Sequence, residues 1–151
     1  MKPKLSIDPG LNGGFALLDD DGVVSAENMP IGMTDIVDRL REIKVKHPNV
    51  SCIMEKTGTH VMGNSASASV KFARHCGSLE STLYCLGIPT IQVPPQTWMK
   101  KLGALPKDKK DRKNKIKEMM AARYPHLRVT LKNADALGIL TAETGSHILF
   151  E

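Results

Sequence analysis

The sequence predicts an α/β fold, a mixed sheet covered by helices, and three observations predict it. Two apolar runs near the start, Leu5-Ser6-Ile7-Asp8 and Phe15-Ala16-Leu17-Leu18, flank the glycine-rich turn Pro9-Gly10-Leu11-Asn12-Gly13-Gly14, which reads as a hairpin. Two later runs of strand character, ending at Glu55 and Val93, alternate with segments of helical period. The chain of 151 residues fits one core, so a single domain over 1–151 is expected.

The elements follow in order. The hairpin continues past Asp19-Asp20-Asp21-Gly22 into Val23-Val24-Ser25-Ala26, because Asp-Gly turns join antiparallel strands well. Thr34 is placed to cap a helix reaching about Lys46, with Ile36, Val37, Leu40 and Ile43 on one face, and His47-Pro48-Asn49 stops it. A strand ends at Glu55, and 56–65 reads as a loop. From Ala66 to Leu86 the pattern is helical, with Ala66, Ala68, Ala73, Gly77 and Ser81 as small residues that would permit close packing against another helix. Gly87 ends it before the strand Ile88–Val93. Pro95 opens a short helix carrying Trp98, read as a core residue. Asp111 is placed to cap a helix with Ile116, Met119, Met120 and Tyr124 inward, and Pro125 stops it. Asn133 is placed to cap the last helix, with Leu137, Leu140 and Ile148 inward.

Composition narrows the function classes. An apolar fraction of 41% excludes the disordered class. No apolar run approaches the roughly 20 residues that span a bilayer, so no membrane partner is expected. Cys52, Cys76 and Cys85 lack zinc-site spacing and read as reduced, mostly buried thiols. With a strand starting near residue 4, no signal peptide is expected, and the chain reads as cytoplasmic. Net charge is +5, from 21 Lys and Arg against 16 acids. Much of that excess lies between Lys100 and Lys117, a field that attracts phosphate backbone in a salt-dependent way.

Three acids stand at the edges of regular elements: Asp8 after the first apolar run, Glu55 after Val50-Ser51-Cys52-Ile53-Met54, and Asp135 within Ala134–Ala142. Converging carboxylates can hold two divalent ions roughly 4 Å apart for phosphodiester hydrolysis. Magnesium takes such oxygen ligands. The same acids are also compatible with surface groups that merely flank core segments. A dinucleotide-binding reading fits less well, since the glycines lead into a strand where that fingerprint needs a helix.

Ile7-Asp8-Pro9-Gly10-Leu11-Asn12-Gly13-Gly14 resembles the first motif of the RuvC-type Holliday junction resolvases, and Ile53-Met54-Glu55 resembles their second acidic strand. The run Gly63 to Phe72 is similar to the linker and long-helix start of phage-type members. Gly87-Ile88-Pro89, Val93-Pro94-Pro95-Gln96-Thr97-Trp98 and Ala134-Asp135-Ala136-Leu137 follow in the family's order, so the resemblance covers nearly the whole chain. It implies a ribonuclease H-like fold, a homodimer, magnesium (or manganese) with two ions per site, and paired nicking of four-way DNA junctions that leaves 5′ phosphates. Asp8, Glu55 and Asp135 are then the catalytic metal ligands.

The family's further acid, three residues before the last, is replaced here by Lys132. Several explanations stay open: a local slip of the comparison, water completing the shell, Glu143 approaching, an inactive site, or Lys132 itself stabilising charge on the scissile phosphate as a catalytic group. DNA contacts are expected from Lys56, Lys100, Lys101, Lys107, Lys109, Lys110, Arg112 and Lys113, with Met62 as an apolar wedge at the junction centre. His60 and His75 read as ordinary histidines before proton shuttles. Two coordinated cuts call for two-fold symmetry, and Phe72, Leu79 and Leu83 on the long helix are the expected dimer contacts. The rivals are a catalytically impaired junction-binding protein, a related nuclease acting on other branched DNA or RNA–DNA hybrids, and, poorest of the three, a small ATP-binding protein.

Overall fold

A computed structural model describes residues 2–58, 63 and 65–145. Five strands form one mixed sheet in the order β3-β2-β1-β4-β5. Strands β1 (Lys4–Asp8), β2 (Gly14–Leu18) and β3 (Val24–Asn28) form an antiparallel meander. Strands β4 (Ser51–Glu55) and β5 (Thr90–Val93) extend it in parallel from β1. Helices α1 (Met33–Lys46) and α2 (Ala66–Cys85) cover one face, while α3 (Pro95–Lys101), α4 (Lys109–Arg123) and α5 (Ala134–Thr144) cover the other.

The two-residue period of a strand assigns side chains to faces. Leu5, Ile7, Phe15, Leu17, Cys52 and Met54 point toward α1 and α2, where Ile36, Leu40, Leu79 and Leu83 meet them. Ala16, Leu18, Ile53 and Val93 point the other way, onto Trp98, Ile116, Met120 and the residues of α5. By the same alternation Ser6 and Asp8 face α5. Ser6, wholly buried in an apolar strand, donates its hydroxyl to the Ala136 carbonyl at 2.6 Å and ties β1 to that helix.

Gly14 brings the meander and α5 together. A Cβ there would lie 2.5 Å from the Glu27 carbonyl oxygen and 2.9 Å from that of Lys132, so only glycine lets both backbones close on β2. Gly14 therefore serves close approach of chain to chain, whereas Gly10 supplies the positive φ of the turn.

Element ends differ from the sequence reading at the caps. Helix α1 starts after Gly32 with no side-chain cap, so Thr34 lies inside the first turn. Asp108 caps α4, its carboxylate accepting from Asp111 N at 3.0 Å, which moves Asp111 into the first turn. Asn133 precedes α5 without capping it. Its side chain instead accepts from Thr130 N at 2.9 Å and donates to the Arg128 carbonyl, closing the preceding turn. Cys52 and Cys76 are buried free thiols as expected, and Cys85 is exposed. Ile148 lies outside the described residues. No described helix is long and apolar enough to cross a membrane.

Two dimer expectations need correction. Leu79 and Leu83 are 0% and 1% exposed and belong to the chain's own core beneath α2. They recur at i and i+4 on the stripe that the sheet demands, so burial within the chain uses them first. Phe72 is half-buried and abuts the loop after β1, with its ring 3.2 Å from where a Gly10 Cβ would stand.

Candidate active site

Asp8, Glu55 and Asp135 converge at one end of the sheet. Pairing of β1 with β4 runs to Ile7↔Met54, so the next residues, Asp8 and Glu55, lie at adjoining strand ends on the α5 side. Helix α5 crosses that face and presents Asp135 from its first turn. Asp8 and Asp135 are buried and Glu55 is half-buried. Burial, then the charges of Asp135 and Glu55, push the Asp8 carboxyl well above the usual range, against the pull of Lys113. Burial also raises Glu55, opposed by its hydrogen bond from Trp98. That mutual influence places the three acids in one electrostatic unit.

Two partners hold this unit. Trp98 Nε1 donates to Glu55 Oε2 at 2.7 Å. Lys113 Nζ stands 3.3 Å from Asp135 Oδ2. Three carboxylates thus face one ammonium, an excess of two negative charges when all are ionised. Both oxygens of Asp8, Oε1 of Glu55 and Oδ1 of Asp135 have no hydrogen-bond partner among the described residues. As oriented, no group of three or more acid, His or Cys side chains among the described residues is drawn together closely enough to hold a metal ion. The donor chemistry nevertheless fits a divalent cation: hard oxygen ligands, a negative excess and free lone pairs.

Lys132 is exposed, and its ammonium makes no described contact; the lysine inside the acid cluster is Lys113. The sequence places Lys113 among the outer phosphate contacts. Its position one helical turn beyond Lys109 was visible, but the helix rotation that aims it at Asp135 was not. Glu143 is engaged by Lys101, whose Nζ reaches both carboxylate oxygens at 3.0 Å, so it does not supply a further ligand in this arrangement.

The other expected DNA contacts divide into two groups. Lys56 and Lys109 border a cavity of about 590 Å3 together with Glu55 and Phe72. Lys109, Lys110 and Lys113 border another of about 460 Å3. The side chains of Lys100 and Lys107 are exposed and make no contact among the described residues, while Arg112 donates to the Lys107 backbone carbonyl at 2.9 Å. Met62 and His60 lie outside the described residues. His75 lines a third cavity of about 430 Å3 with Gly10, Lys71 and Phe72, and burial lowers its pKa. Trp98 is the site residue that sequence reasoning missed. Its core position was read correctly, but nothing local in the sequence shows which acceptor a buried indole will find.

Solved structures share this architecture. Thermus thermophilus RuvC in complex with a Holliday junction substrate matches with a TM-score of 0.58 and 18% identity, over 95% of this chain and 93% of that one. A second structure of Thermus thermophilus RuvC gives 0.54 and 17%, over 94% and 93%. Fowlpox virus resolvase in complex with its Holliday junction DNA substrate gives 0.50 and 12%, over 94% and 97%. The chain therefore has the ribonuclease H-like fold, a mixed five-stranded sheet flanked by helices, in the form that these resolvases share. No family model matches the sequence, and no curated protein does.

Proposed function

We propose that this protein is a metal-dependent endonuclease of the phage-type RuvC kind that resolves four-way DNA junctions by paired nicks leaving 5′ phosphates. The observation that carries the reading is the convergence of Asp8, Glu55 and Asp135, with unpartnered oxygens and a negative excess, beside lysine-bordered cavities. The fold shared with resolvases bound to Holliday junction DNA supports the choice of substrate.

Asp8, Glu55 and Asp135 would hold magnesium or manganese, two ions in the fullest arrangement. When bound, the metal supplies an activated water nucleophile and a counter-charge for the leaving 3′ oxygen. Lys113 pairs with Asp135 and offsets part of the acids' mutual repulsion. Lys56, Lys109 and Lys110 at the cavity rims attract and orient backbone phosphates without reading sequence. Lys132, exposed just before α5, serves as a further phosphate contact. Lys100, Lys107 and Arg112 extend the basic surface outward.

A two-fold dimer would supply the second cut. With Leu79 and Leu83 committed to the core, the side of α2 available to a second copy carries Val70 and Tyr84, 57% and 86% exposed. Sedimentation at micromolar concentration checks this, and a strict monomer with and without junction DNA would defeat it.

The deciding experiment is magnesium-dependent nicking of a synthetic four-way junction, with linear duplex and RNA–DNA hybrid as competitors. Preferred, symmetric nicking of the junction that disappears in Asp8→Asn, with binding retained, is the expected result. Tight junction binding without any nicking in magnesium or manganese would favour the impaired junction-binding protein instead.

A further inference from the structure

We propose that Trp98 is a positioning residue for Glu55: its indole N–H holds one carboxylate oxygen and thereby turns the other toward the cation site. The inference rests on the metal-nuclease reading above and deepens it. Trp98 is wholly buried, on the first turn-and-a-half of α3 immediately after β5, and β5 pairs with β4 up to Glu55↔Val93. The strand pair thus delivers donor and acceptor to the same place. An indole has a single, directional N–H and no acceptor. Its ring cannot swing, because it lies against Gly138 of α5, where a Cβ would be 2.7 Å from Trp98 Cζ3, and beside Ile116 of α4.

Glu55 has the opposite character. Its side chain has three rotatable bonds and stands half-buried at a strand end. Left alone it would sample several rotamers, most of them unproductive for binding an ion shared with Asp8. The 2.7 Å bond from a packed ring removes that freedom at Oε2 and leaves Oε1 without a described partner. Partners behind a metal ligand commonly orient it in this way, and their loss costs about 10–100-fold in affinity or activity. Trp98 is shut off from solvent, so any effect on the reaction must pass through Glu55 or through the fold.

Trp98 is the only tryptophan in the chain, which makes the test direct. Two replacements remove the N–H: Trp98→Phe, and biosynthetic substitution by benzothienylalanine, an isostere that keeps the bicyclic ring. Manganese affinity is read by electron paramagnetic resonance on the full chain, alongside kcat and KM for junction nicking and Tm. The expected result for the isostere is a Tm near that of the unmodified protein, manganese binding weaker by about 10–100-fold, a lower kcat and an unchanged KM. In an E55Q background the replacement should cause no further loss of manganese affinity, since the group it acts through is already altered. On the unmodified protein, magnesium should shift the single indole N–H resonance, and E55Q should abolish that shift. Unchanged manganese affinity in the isostere, an equal loss in the E55Q background, or an indole resonance that ignores magnesium each overturns the proposal while leaving the nuclease reading standing. Failure of the unmodified protein to bind manganese at all overturns both, and is seen before any replacement is made.

Discussion

Helices α2 and α5 both carry many small residues, yet they use them in opposite ways. On α2 the small residues face outward: Gly77 has nothing within 4 Å of where a Cβ would stand, and the buried stripe is Cys76, Leu79 and Leu83. On α5 every residue from Ala134 to Thr141 is buried, and Gly138 is pressed against the Trp98 ring. The sequence permits close packing of α2 against another helix, in the chain or in a partner. Small side chains permit close approach but do not cause it. What decides is whether a helix is covered on one side or on several. Helix α2 covers a sheet face from outside, whereas α5 lies between β1, β2, α3 and α4 and has no free side.

That difference is also the difference between scaffold and site. Because α5 is held on all sides, Ser6 can bond its Ala136 carbonyl, and Asp135 arrives beside Asp8 in a fixed position. Helix α2 has an acid too, Glu80, but it is exposed and, among the described residues, accepts from Gln92 alone, at 3.1 Å.

The contrast can be broken at several points, the largest effect being on the chemistry. Asp135→Asn should abolish metal-dependent nicking, and Glu80→Gln should leave its rate unchanged; equal loss in both would dissolve the distinction. Next comes Leu79→Ala, which should cost about 2–5 kcal/mol in urea unfolding if that leucine belongs to the chain's own core. A negligible loss, with dimerisation weakened instead, would restore it to the interface. The two glycines then form a matched pair. Gly138→Ala should destabilise by about 1–3 kcal/mol, because the added methyl meets a ring already fixed between helices. Gly77→Ala should stabilise by about 0.5–1 kcal/mol, since it meets nothing and gains helix propensity. Thermal or urea unfolding of both variants checks the opposite signs.

Asp8 adds a pH-dependent counterpart whose sign can be worked out. Burial and neighbouring acids raise its folded-state pKa above the unfolded value. The folded state is therefore favoured below the unfolded pKa, and that contribution is lost as pH rises through the folded pKa. Asp8→Asn should thus raise Tm at neutral pH in metal-free buffer and lose that advantage in acid. A lower Tm at neutral pH would show that Asp8 is better compensated than its surroundings indicate.

Most of the sheet was legible because strand signals are local. The hairpin, the strand ending at Glu55, and the long helix all follow from period and punctuation over a few residues. Helix starts were less legible: Asp108 and Asp111 both qualify as caps for α4, and only the backbone path chooses Asp108. The three acids were visible as strand-end and helix-start residues, but their convergence depends on pairs more than forty residues apart in sequence.

By itself, the sequence determined the alternation of elements, the burial of one face of each strand and the presence of three acids at element ends, because these are matters of local period and hydrophobicity. Only the tertiary structure decided which helix is enclosed, that Lys113 and not Lys132 pairs with Asp135, and that Trp98 meets Glu55. Those outcomes depend on the rotation of each helix about its axis and on the close approach that Gly14 and Gly138 allow. A shift of a fraction of a helical turn would change every one of them without altering a single local signal.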